Sequence, residues 1–516
     1  MNSFNPIDQR CVPILGRDEE VSLVDLFTRA DELPGLGGDS PTMTAALYRL
    51  ALAVLHRALG PVNGDAWTQI WQARKFPVEK IVDYLERWRH RFDLFGDEPF
   101  YQCRELATAE PKSAALLVPY KSSGNNVTLF DHTTSDVRVT LTPAEAFRWL
   151  VTVHAFDLGG TKTPGVSPDK SSTAAPCARG AVFLVRGATV FESLMLNLPA
   201  YEPGRRRPMG TSTRDAPVWE RPQLSAMPRK AAVPRGWTDL LTWQSRRVWL
   251  RRTQDEDGSV AIGEVVICPG DSLHKDFQLS NVDQHMAFYS DNVTPLRIDR
   301  ERALWRSANA LAARSGALAP RGGVPPRTFG WLLETQKAAG LKLPQLIPVT
   351  AYGLVNKQSK LITWAAEDIV LPARLLDPAE TEAAAVLESA LRAAEEVGSL
   401  LFEQARRLRG EFKTRIELQE EKKKDWRPVQ LASYWAALTP EYDRLAHHLA
   451  GGEYEEAKRS WSRAVEVAAT SALNRMLATG TTSTRNLAIR AKVASTVTFR
   501  LREALAGLKA SPGATA

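Results

Sequence analysis

Apolar residues in the last third of the chain recur at helical spacing. From residue 378 to the charged stretch 420–425, a single stripe is formed by Leu387, Leu391, Ala394, Leu401, Ala405 and Leu408. A 3.6-residue period of this kind predicts one long amphipathic helix. Three more helical segments follow at about 429–449, 453–478 and 483–508. The pattern therefore predicts an up-and-down four-helix bundle over residues 370–516, with an interruption of its second helix at Pro440.

Residues 1–369 lack this regularity. Helical segments alternate with short β-prone or apolar runs, without the βαβ rhythm of a doubly wound sheet. The helical segments are 42–59, 78–92, 143–156 and 190–198, and the β-prone runs are 114–118, 137–141 and 259–268. The sequence therefore predicts an α+β protein, in which a large mixed α/β domain of irregular topology (1–369) precedes the bundle.

Composition narrows the class of protein. The chain has 516 residues, 44% of them hydrophobic and 24% charged, as expected of a folded globular protein. No run of 18 apolar residues occurs and the first ten residues lack an apolar core, so we expect neither a membrane span nor secretion. The four cysteines are far apart and form no CxxC pair, which indicates reduced thiols in a cytoplasmic protein.

The net charge of +7 is unevenly distributed. Residues 201–252 contain 12 basic and 4 acidic residues, and residues 461–516 contain 8 and 2. Such clusters suit a phosphate backbone, because each neutralised phosphate releases condensed counterions. Ordinary solvated faces are the alternative for either segment taken alone.

Catalytic motifs are missing from the sequence. It contains no Walker loop, no dinucleotide-binding glycine motif, no GxSxG elbow and no HExxH zinc helix. We therefore expect no enzymatic activity, no metal and no cofactor. One rival is a metal-dependent nuclease or hydrolase using Glu367 and Asp368, although neighbours on a strand point to opposite faces. A purely protein-binding scaffold is the other rival.

Two glycine- and asparagine-rich segments are suited to ligand contact. Segment 122–132 surrounds Phe130 with small polar residues, as in loops that contact unpaired nucleotides, and an ordinary surface loop is the alternative. Segment 158–165 combines glycines, which let the backbone approach a ligand, with Lys162, which suits a phosphate. A helix C-cap followed by a turn is the alternative there.

A third segment, 352–364, has two β-prone arms flanking a polar tip. This pattern predicts a β-hairpin that presents Asn356, Lys357 and Gln358 to solvent. A hairpin with no binding role is the alternative.

Several short segments resemble one known family when they are taken together in order. They are FNPIDQRCVPI (4–14), DEPFYQ (97–102), TLFDH (128–132), GGTKT (159–163), LVRG (184–187) and PVWE (217–220), followed by the helical C-terminal region. In this order they resemble the CasA family, the large subunit of the type I-E CRISPR surveillance complex, Cascade.

The resemblance implies a non-catalytic subunit in antiviral defence. Such a subunit recognises the protospacer-adjacent motif of double-stranded DNA from the minor groove and helps to open the duplex for R-loop formation, while the guide RNA reads the sequence. The implied partners are the guide RNA with the other Cascade subunits, the double-stranded target and a recruited helicase-nuclease. Because residues 255–268 contain one cysteine, we expect no zinc knuckle there.

The resemblance also implies roles for individual residues, with Gln358 as a wedge inserted into the duplex. Recognition of the DNA motif is assigned to Gly159, Gly160, Thr161, Lys162, Lys275, Asn356, Lys357, Gln358 and Ser359. Contact with the guide RNA and neighbouring subunits is assigned to Asn125, Asn126, Phe130 and His132. From its charge, the bundle is expected to present a basic face made by Arg485, Arg490, Arg500 and Arg502.

Overall fold

The chain divides into two compact units. The computed structural model describes residues 3–119, 139–163, 170–200, 212–255, 257–289, 294–312, 323–339, 342–357, 360–412, 428–478 and 484–509. The first unit comprises Met1–Arg300, Gly323–Lys342 and Pro348–Ile369, and the second comprises Glu301–Gly322, Leu343–Ile347 and Val370–Ala516. The domains predicted from the sequence are 1–369 and 370–516, whereas residues 301–322 and 343–347 belong here to the second unit.

Two capped helices that pack against each other lie at the centre of the first unit. Ser40 accepts a hydrogen bond from the N–H of Met43 at the start of α2, and Thr142 and Glu145 form a capping box at the start of α6. Most side chains of both helices are buried. The helices of this unit, within the described residues, are α1 (Leu23–Thr28), α2 (Pro41–Ala58), α3 (Gly64–Ala73), α4 (Val78–Arg87), α5 (Arg89–Phe92), α6 (Pro143–Phe156), α7 (Val190–Leu196), α8 (Trp237–Leu241) and α9 (Arg327–Ala339).

The described strands form small sheets. They are β1 (Val12–Pro13), β2 (Glu20–Val21), β3 (Lys112–Ser113), β4 (Gly160–Thr161), β5 (Ser171–Ser172), β6 (Val182–Val185), β7 (Arg246–Gln254), β8 (Val260–Pro269), β9 (Leu346–Lys357) and β10 (Lys360–Pro372). Strand β1 pairs with β2, β4 pairs with β5, and two three-stranded sheets have the orders β3-β8-β7 and β10-β9-β6. The α+β class predicted from the sequence is confirmed.

Two of the β-prone or apolar runs form different kinds of secondary structure. Run 259–268 is strand β8. Run 114–118, which the sequence showed only to be β-prone or apolar, is instead a short 3-10 helix, Ala114–Leu117. The side chain of Ser113 accepts a hydrogen bond from the N–H of Ala115 and caps this turn, and none of its four residues is β-branched.

The second unit contains the four helices that the apolar stripes predicted. They are α10 (Thr381–Phe412), α11 (Val429–Gly451), α12 (Tyr454–Leu477) and α13 (Thr484–Lys509), and they pack together as a bundle. Buried aromatic side chains tie α10 to its neighbours: Trp461 donates to the carbonyl of Ala390 at 2.7 Å, and Tyr434 donates to that of Ala394 at 2.9 Å. Helix α11 continues through Pro440, where an interruption was predicted.

Among the described helices, none combines the length and the apolar character that crossing a membrane requires. All four cysteines are buried free thiols. Burial raises the pKa of the Cys177 thiol to about 12, so this group stays protonated and unreactive near neutral pH.

Candidate nucleic-acid interface

The glycine segment follows α6 directly and forms one arm of a narrow hairpin. After Asp157, which caps the end of α6, the chain enters β4, whose Gly160 and Thr161 pair antiparallel with β5. The N–H of Lys162 donates to the carbonyl of Lys170 at 2.8 Å. The segment is therefore a paired strand rather than the helix C-cap turn that was its alternative interpretation.

Both glycines are required by the backbone here. Gly160 has a φ of +141°, a conformation that side-chain-bearing residues rarely adopt. A Cβ on Gly159 would lie 3.0 Å from both the carbonyl oxygen of Ser172 and the N–H of Ala174. Because these two glycines have no side chains, β4 can lie tightly against β5, and no side chain at these positions covers the opposite side of β4.

Asp157 holds two cations at the base of this strand. Lys162 Nζ lies 2.7 Å from Asp157 Oδ2, and the same oxygen accepts a hydrogen bond from Arg246. Burial alone would raise the pKa of the Asp157 carboxyl, but the charges of Arg246 and Lys162 hold it below its ordinary value. The Asp157 carboxylate is therefore ionised at neutral pH, and Lys162 is partnered.

Arg246, at the start of β7, organises the backbone around the glycine segment. Its side chain is only 1% exposed. Besides Asp157, it donates to the carbonyl of Leu158 at 2.9 Å and to that of Thr173 at 3.1 Å. One guanidinium thus connects the end of α6 to both arms of the β4–β5 hairpin.

A cavity of about 380 Å³ in the first unit brings two of the predicted segments together. One side is formed by the end of α6 and by the glycine segment from Leu158 to Lys162. Ala115, Leu116, Val118 and Pro119 contribute apolar side chains. The β9–β10 arms contribute Leu354, Leu361 and Trp364. The glycine segment and the hairpin therefore belong to one site, although about 190 residues separate them in the sequence.

The predicted hairpin is present as strands β9 and β10, which are neighbours in their sheet and are separated in sequence by two residues. Asn356 is half-buried and lies in β9, and Lys357 ends this strand. Gln358 and Ser359, the predicted wedge and its neighbour, lie outside the described residues. The arms that lead to them are described.

Lys275 lies apart from this cavity. It is exposed in the segment after β8, between His274 and Asp276, and it is not among the cavity-lining residues. His274 Nδ1 accepts a hydrogen bond from the N–H of Asp276 at 3.2 Å, which forms a local turn. The structure therefore groups Gly159, Gly160, Thr161 and Lys162 with the hairpin arms, and Lys275 with a different surface.

The residues predicted to contact the guide RNA, Asn125, Asn126, Phe130 and His132, lie outside the described residues. The segment that leads to them is described as far as Pro119, and both Val118 and Pro119 line the cavity. Their predicted role therefore stays a prediction.

The four bundle arginines do not share one face of α13. At about 100° per residue, Arg485, Arg490 and Arg500 span about 140° of the helix, and Arg502 lies about 100° beyond this arc. Arg490 is half-buried and shares the side of Val493, Val497 and Leu501, whereas the other three arginines are exposed. The predicted basic face is reduced to three exposed side chains around the outer part of the helix.

Glu367 and Asp368, the residues considered for a metal-dependent nuclease, do not form a metal site. Asp368 Oδ1 accepts a hydrogen bond from Thr350 at 2.6 Å, and its other oxygen lies 3.3 Å from Arg186. Glu367 precedes it on β10 and therefore points to the opposite face. Among the residues that the structure describes, no group of three or more metal-ligating side chains occurs.

Comparison with known proteins identifies the family. The family model for CRISPR-associated protein Cse1 matches residues 7–472. The chain belongs to the Cse1 family. A curated relative, CRISPR-associated protein CasA/Cse1 of Thermus thermophilus, is 35% identical over 407 residues, which cover 77% of this chain and 76% of that protein. The resemblance to the CasA family is thereby confirmed.

Solved Cse1 structures share the fold. The crystal structure of Cse1 from Acidimicrobium ferrooxidans has a TM-score of 0.78 and 28% identity, and the match covers 99% of each chain. A chain of a CRISPR RNA-guided surveillance complex has a TM-score of 0.75 at 19% identity, covering 96% of this chain and 100% of that one, and shows the same fold.

In this Cse1 family member, the residues that hold the site together were not recognisable from the sequence. Arg246 and Asp157 are 89 residues apart, and neither lies in a motif. Trp364 was noted only as the end of a β-prone arm. The one available signal was Asp157 at the end of a predicted helix beside a lysine-containing glycine segment, which indicates a local ion pair but not its distant partner.

Proposed function

We propose that this chain is the large, non-catalytic subunit of a type I-E RNA-guided surveillance complex, where it recognises the protospacer-adjacent motif in double-stranded DNA. The observation that carries the proposal is the shared cavity, which joins the glycine segment to both arms of the hairpin. Membership of the Cse1 family supports the assignment to such a complex. The shared fold with a chain of a CRISPR RNA-guided surveillance complex adds support.

The glycine segment offers backbone and a cation to the minor groove. Because Gly159 and Gly160 carry no side chain, base edges and sugars can approach the peptide groups of β4 closely. Lys162 can exchange its partner for a phosphate without leaving a buried charge unpaired, because Asp157 keeps its hydrogen bond from Arg246. Recognition through backbone and minor groove tolerates several motifs, since the groove's donor and acceptor pattern is degenerate.

The hairpin supplies the wedge. Leu354, Leu361 and Trp364 of its arms line the cavity beside the glycine segment. In general, the tip of a β-hairpin pays less ordering entropy on entering a duplex than a flexible loop does. Inserted next to the motif, Gln358 offsets part of the few kcal/mol that unstacking a base step costs.

In this proposal, partners of the chain read the target sequence and cleave the DNA. The guide RNA, held by the other Cascade subunits and contacted through the segment containing Phe130, pairs with the opened strand. A helicase-nuclease recruited after R-loop formation cleaves the DNA, which fits a cytoplasmic subunit whose sequence contains none of the catalytic motifs tested above.

A glycine substitution tests the proposal. In a surveillance complex assembled with this chain, Gly160→Ala forces a side chain into a backbone conformation that costs on the order of 1–3 kcal/mol and shifts β4. We expect roughly tenfold weaker binding to targets that carry the preferred motif, and a smaller difference between motifs. Gly258→Ala is the matched control, since Gly258 also has a positive φ of +81° but lies in the β7–β8 turn, outside the cavity lining.

Binding is measured at fixed salt on duplexes that differ only in the flanking motif, with the melting temperature recorded for each variant. Equal motif discrimination in Gly160→Ala and in the unaltered chain would contradict the proposal. Equal losses in both glycine variants would assign the effect to backbone strain rather than to recognition.

A further inference from the structure

A small cavity lies in the first unit where helices α2, α6 and α8 meet. It leaves about 10 Å³ for the centre of a water-sized sphere, which is close to the least that one enclosed water molecule requires. Its lining is mostly apolar, but it includes Arg49 of α2, His154 of α6 and Tyr101. Among the described residues, none lines both this cavity and the larger one beside the glycine segment.

Arg49 is buried beside this cavity and has one unused donor. Its side chain is 2% exposed. Its Nη1 donates to Asp283 Oδ2 at 3.3 Å, and its Nη2 donates to the carbonyl of Leu240 at 3.5 Å. Within the part of the chain that the structure describes, the Nε–H of Arg49 has no hydrogen-bond partner. Because a buried donor without a partner costs free energy, we expect an accepting group at this position.

His154 has the complementary unused group. Its Nε2 lies 3.2 Å from the carbonyl oxygen of Tyr101, which can only accept, so Nε2 carries the proton. Burial lowers the pKa of His154 to about 3, so the imidazole is neutral near pH 7. Nδ1 is therefore an acceptor, and it has no partner among the described residues. The cavity thus lies between residues that have one unused donor and one unused acceptor.

Tyr101 fixes the orientation of the His154 ring. The φ of Tyr101 is +55°, a left-handed conformation that is uncommon for a residue with a bulky side chain. Its carbonyl accepts from His154 Nε2, and its ring packs edge-on against the imidazole with 5.4 Å between the ring centroids. Because Nε2 is held by this carbonyl, Nδ1 points away from it. Backbone strain of this kind is frequent where a ligand is held.

We infer that the cavity binds one ordered water molecule, which accepts from the Nε–H of Arg49 and donates to Nδ1 of His154. Water is the ligand that fits, because it can accept from one group and donate to another at the same time. A chloride ion can accept from Arg49 but cannot donate to His154, and Arg49 already has Asp283 as its counter-charge. An ammonium ion can donate to His154 but cannot accept from Arg49.

The bound water connects two hydrogen-bond networks of the first unit. Through Arg49 it is connected to Asp283 and to α8, and through His154 it is connected to Tyr101 and to the last turn of α6. Asp157, which caps α6 and holds the base of the glycine segment, follows three residues after His154. The water therefore stabilises the base of that segment. It does so whatever the segment recognises, so the water site can be tested separately from the proposed function.

A crystal structure of the full chain, at a resolution that shows individual water molecules, tests the site directly. We expect one solvent peak within about 3.2 Å of both Arg49 Nε and His154 Nδ1. Crystals soaked in bromide should show no anomalous peak at this position. A bromide peak would identify an anion site and overturn the inference. A cavity without a solvent peak, or a peak bonded to only one of the two atoms, would also overturn it.

Two substitutions of His154 separate the roles of its two nitrogens. In His154→Asn the amide oxygen lies as many bonds from Cβ as Nδ1 does, so it can replace the acceptor. In His154→Gln the amide nitrogen lies as many bonds from Cβ as Nε2 does, so it can replace only the donor to Tyr101. We therefore expect the solvent peak to remain in His154→Asn and to be lost in His154→Gln.

His285→Gln is the matched control for these variants. His285 is also buried, and its Nε2 lies 3.2 Å from the carbonyl oxygen of Asn197, but it does not line the cavity. The solvent peak should therefore remain in this variant. A peak that is lost in His154→Asn and kept in His154→Gln would overturn the assigned roles of the two nitrogens. If the His154 variants do not fold, the solvent peak in the unaltered chain decides the question.

Discussion

Lys162 and Arg246 share one carboxylate: Lys162 Nζ lies 2.7 Å from Asp157 Oδ2, the oxygen that also accepts from the Arg246 guanidinium. The two cations differ in burial, since the Arg246 side chain is 1% exposed and that of Lys162 is 23% exposed. Asp157 is therefore indispensable to the buried arginine, whereas the lysine can leave.

This difference predicts unequal effects of two substitutions. Asp157→Asn leaves the buried Arg246 without a counter-charge and should lower the free energy of unfolding by about 3–5 kcal/mol. Lys162→Ala leaves the Asp157–Arg246 pair intact and should cost no more than about 1 kcal/mol. Chemical denaturation of the purified chain measures both. Equal losses of stability in the two variants would show that Lys162 stabilises the fold. They would weaken its assignment as a phosphate contact.

A glycine in the bundle is predicted to be irreplaceable. A Cβ on Gly398 of α10 would lie 2.4 Å from Cζ2 of Trp435, so Gly398→Ala forces the indole to move. We expect a loss of about 1–3 kcal/mol in the stability of the second unit. Gly507→Ala is the control because nothing lies within 4 Å of its Cβ, and helix propensity should make it stabilising by about 0.5–1 kcal/mol. Destabilisation by both variants would show that packing against Trp435 is not the cause.

The bundle shows what periodicity can predict. Leu387, Leu391 and Leu401 are all buried, as the stripe predicted, because a repeat along one helix is a local property of the sequence. Pro440 shows where local signals fail. A proline after a threonine is typical of a helix start, but here tertiary packing keeps the helix continuous, with Trp305 donating to Thr439 at 3.2 Å.

The site shows a different limit. The glycine segment and the hairpin were each recognisable from their residues, yet the sequence does not show that residues as far apart as Gly160 and Trp364 line one cavity. Arg246 could not be selected among the basic residues of 201–252, because its role is set by burial beside Asp157. The spacing of basic residues along the sequence does not show which of them is buried.

Three buried histidines predict a loss of stability in mild acid. Burial lowers the pKa of His56 and His154 to about 3 and that of His285 to about 4. Their unfolded value is about 6.5, so the unfolded chain binds more protons. Their contribution is complete above about pH 6.5 and is lost as the pH falls toward the folded values, with a slope of up to roughly 4 kcal/mol per pH unit for the three together.

Denaturation midpoints between pH 7 and pH 5 measure this slope. His154→Gln should reduce the dependence on pH by about one third, because one of three protons is no longer taken up on unfolding. His447→Gln, at an exposed position of α11, is the control and should leave the dependence unchanged. Stability that does not change between pH 7 and pH 5 would contradict the prediction.

The bundle arginines are predicted to act in two ways. Reversing the three exposed ones, Arg485, Arg500 and Arg502, should weaken target binding by the complex and flatten its salt dependence, because fewer counterions are released. Arg490→Glu should instead destabilise the second unit, since this half-buried side chain faces the stripe that contains Val493 and Val497. An unchanged salt slope in the triple variant would show that the face is merely solvated.

The hairpin tip gives the last prediction, for Gln358→Ala. Because the substitution leaves the cavity-lining residues of the arms unchanged, and because the sequence predicts an exposed tip, it should change stability by no more than about 0.5 kcal/mol. The effect should fall on duplex opening, since losing an inserted group that offsets a few kcal/mol of unstacking slows R-loop formation on paired DNA.

A target that is already unpaired beside the motif provides the discriminating substrate. No opening is required on it, so R-loop formation by Gln358→Ala should match that of the unaltered complex there while remaining slower on the paired target. Equal losses on both substrates would mean that Gln358 acts by contact alone. No loss on either would place the wedge elsewhere, and variants along the arms, beginning with Lys360 on the β10 side, would then locate it.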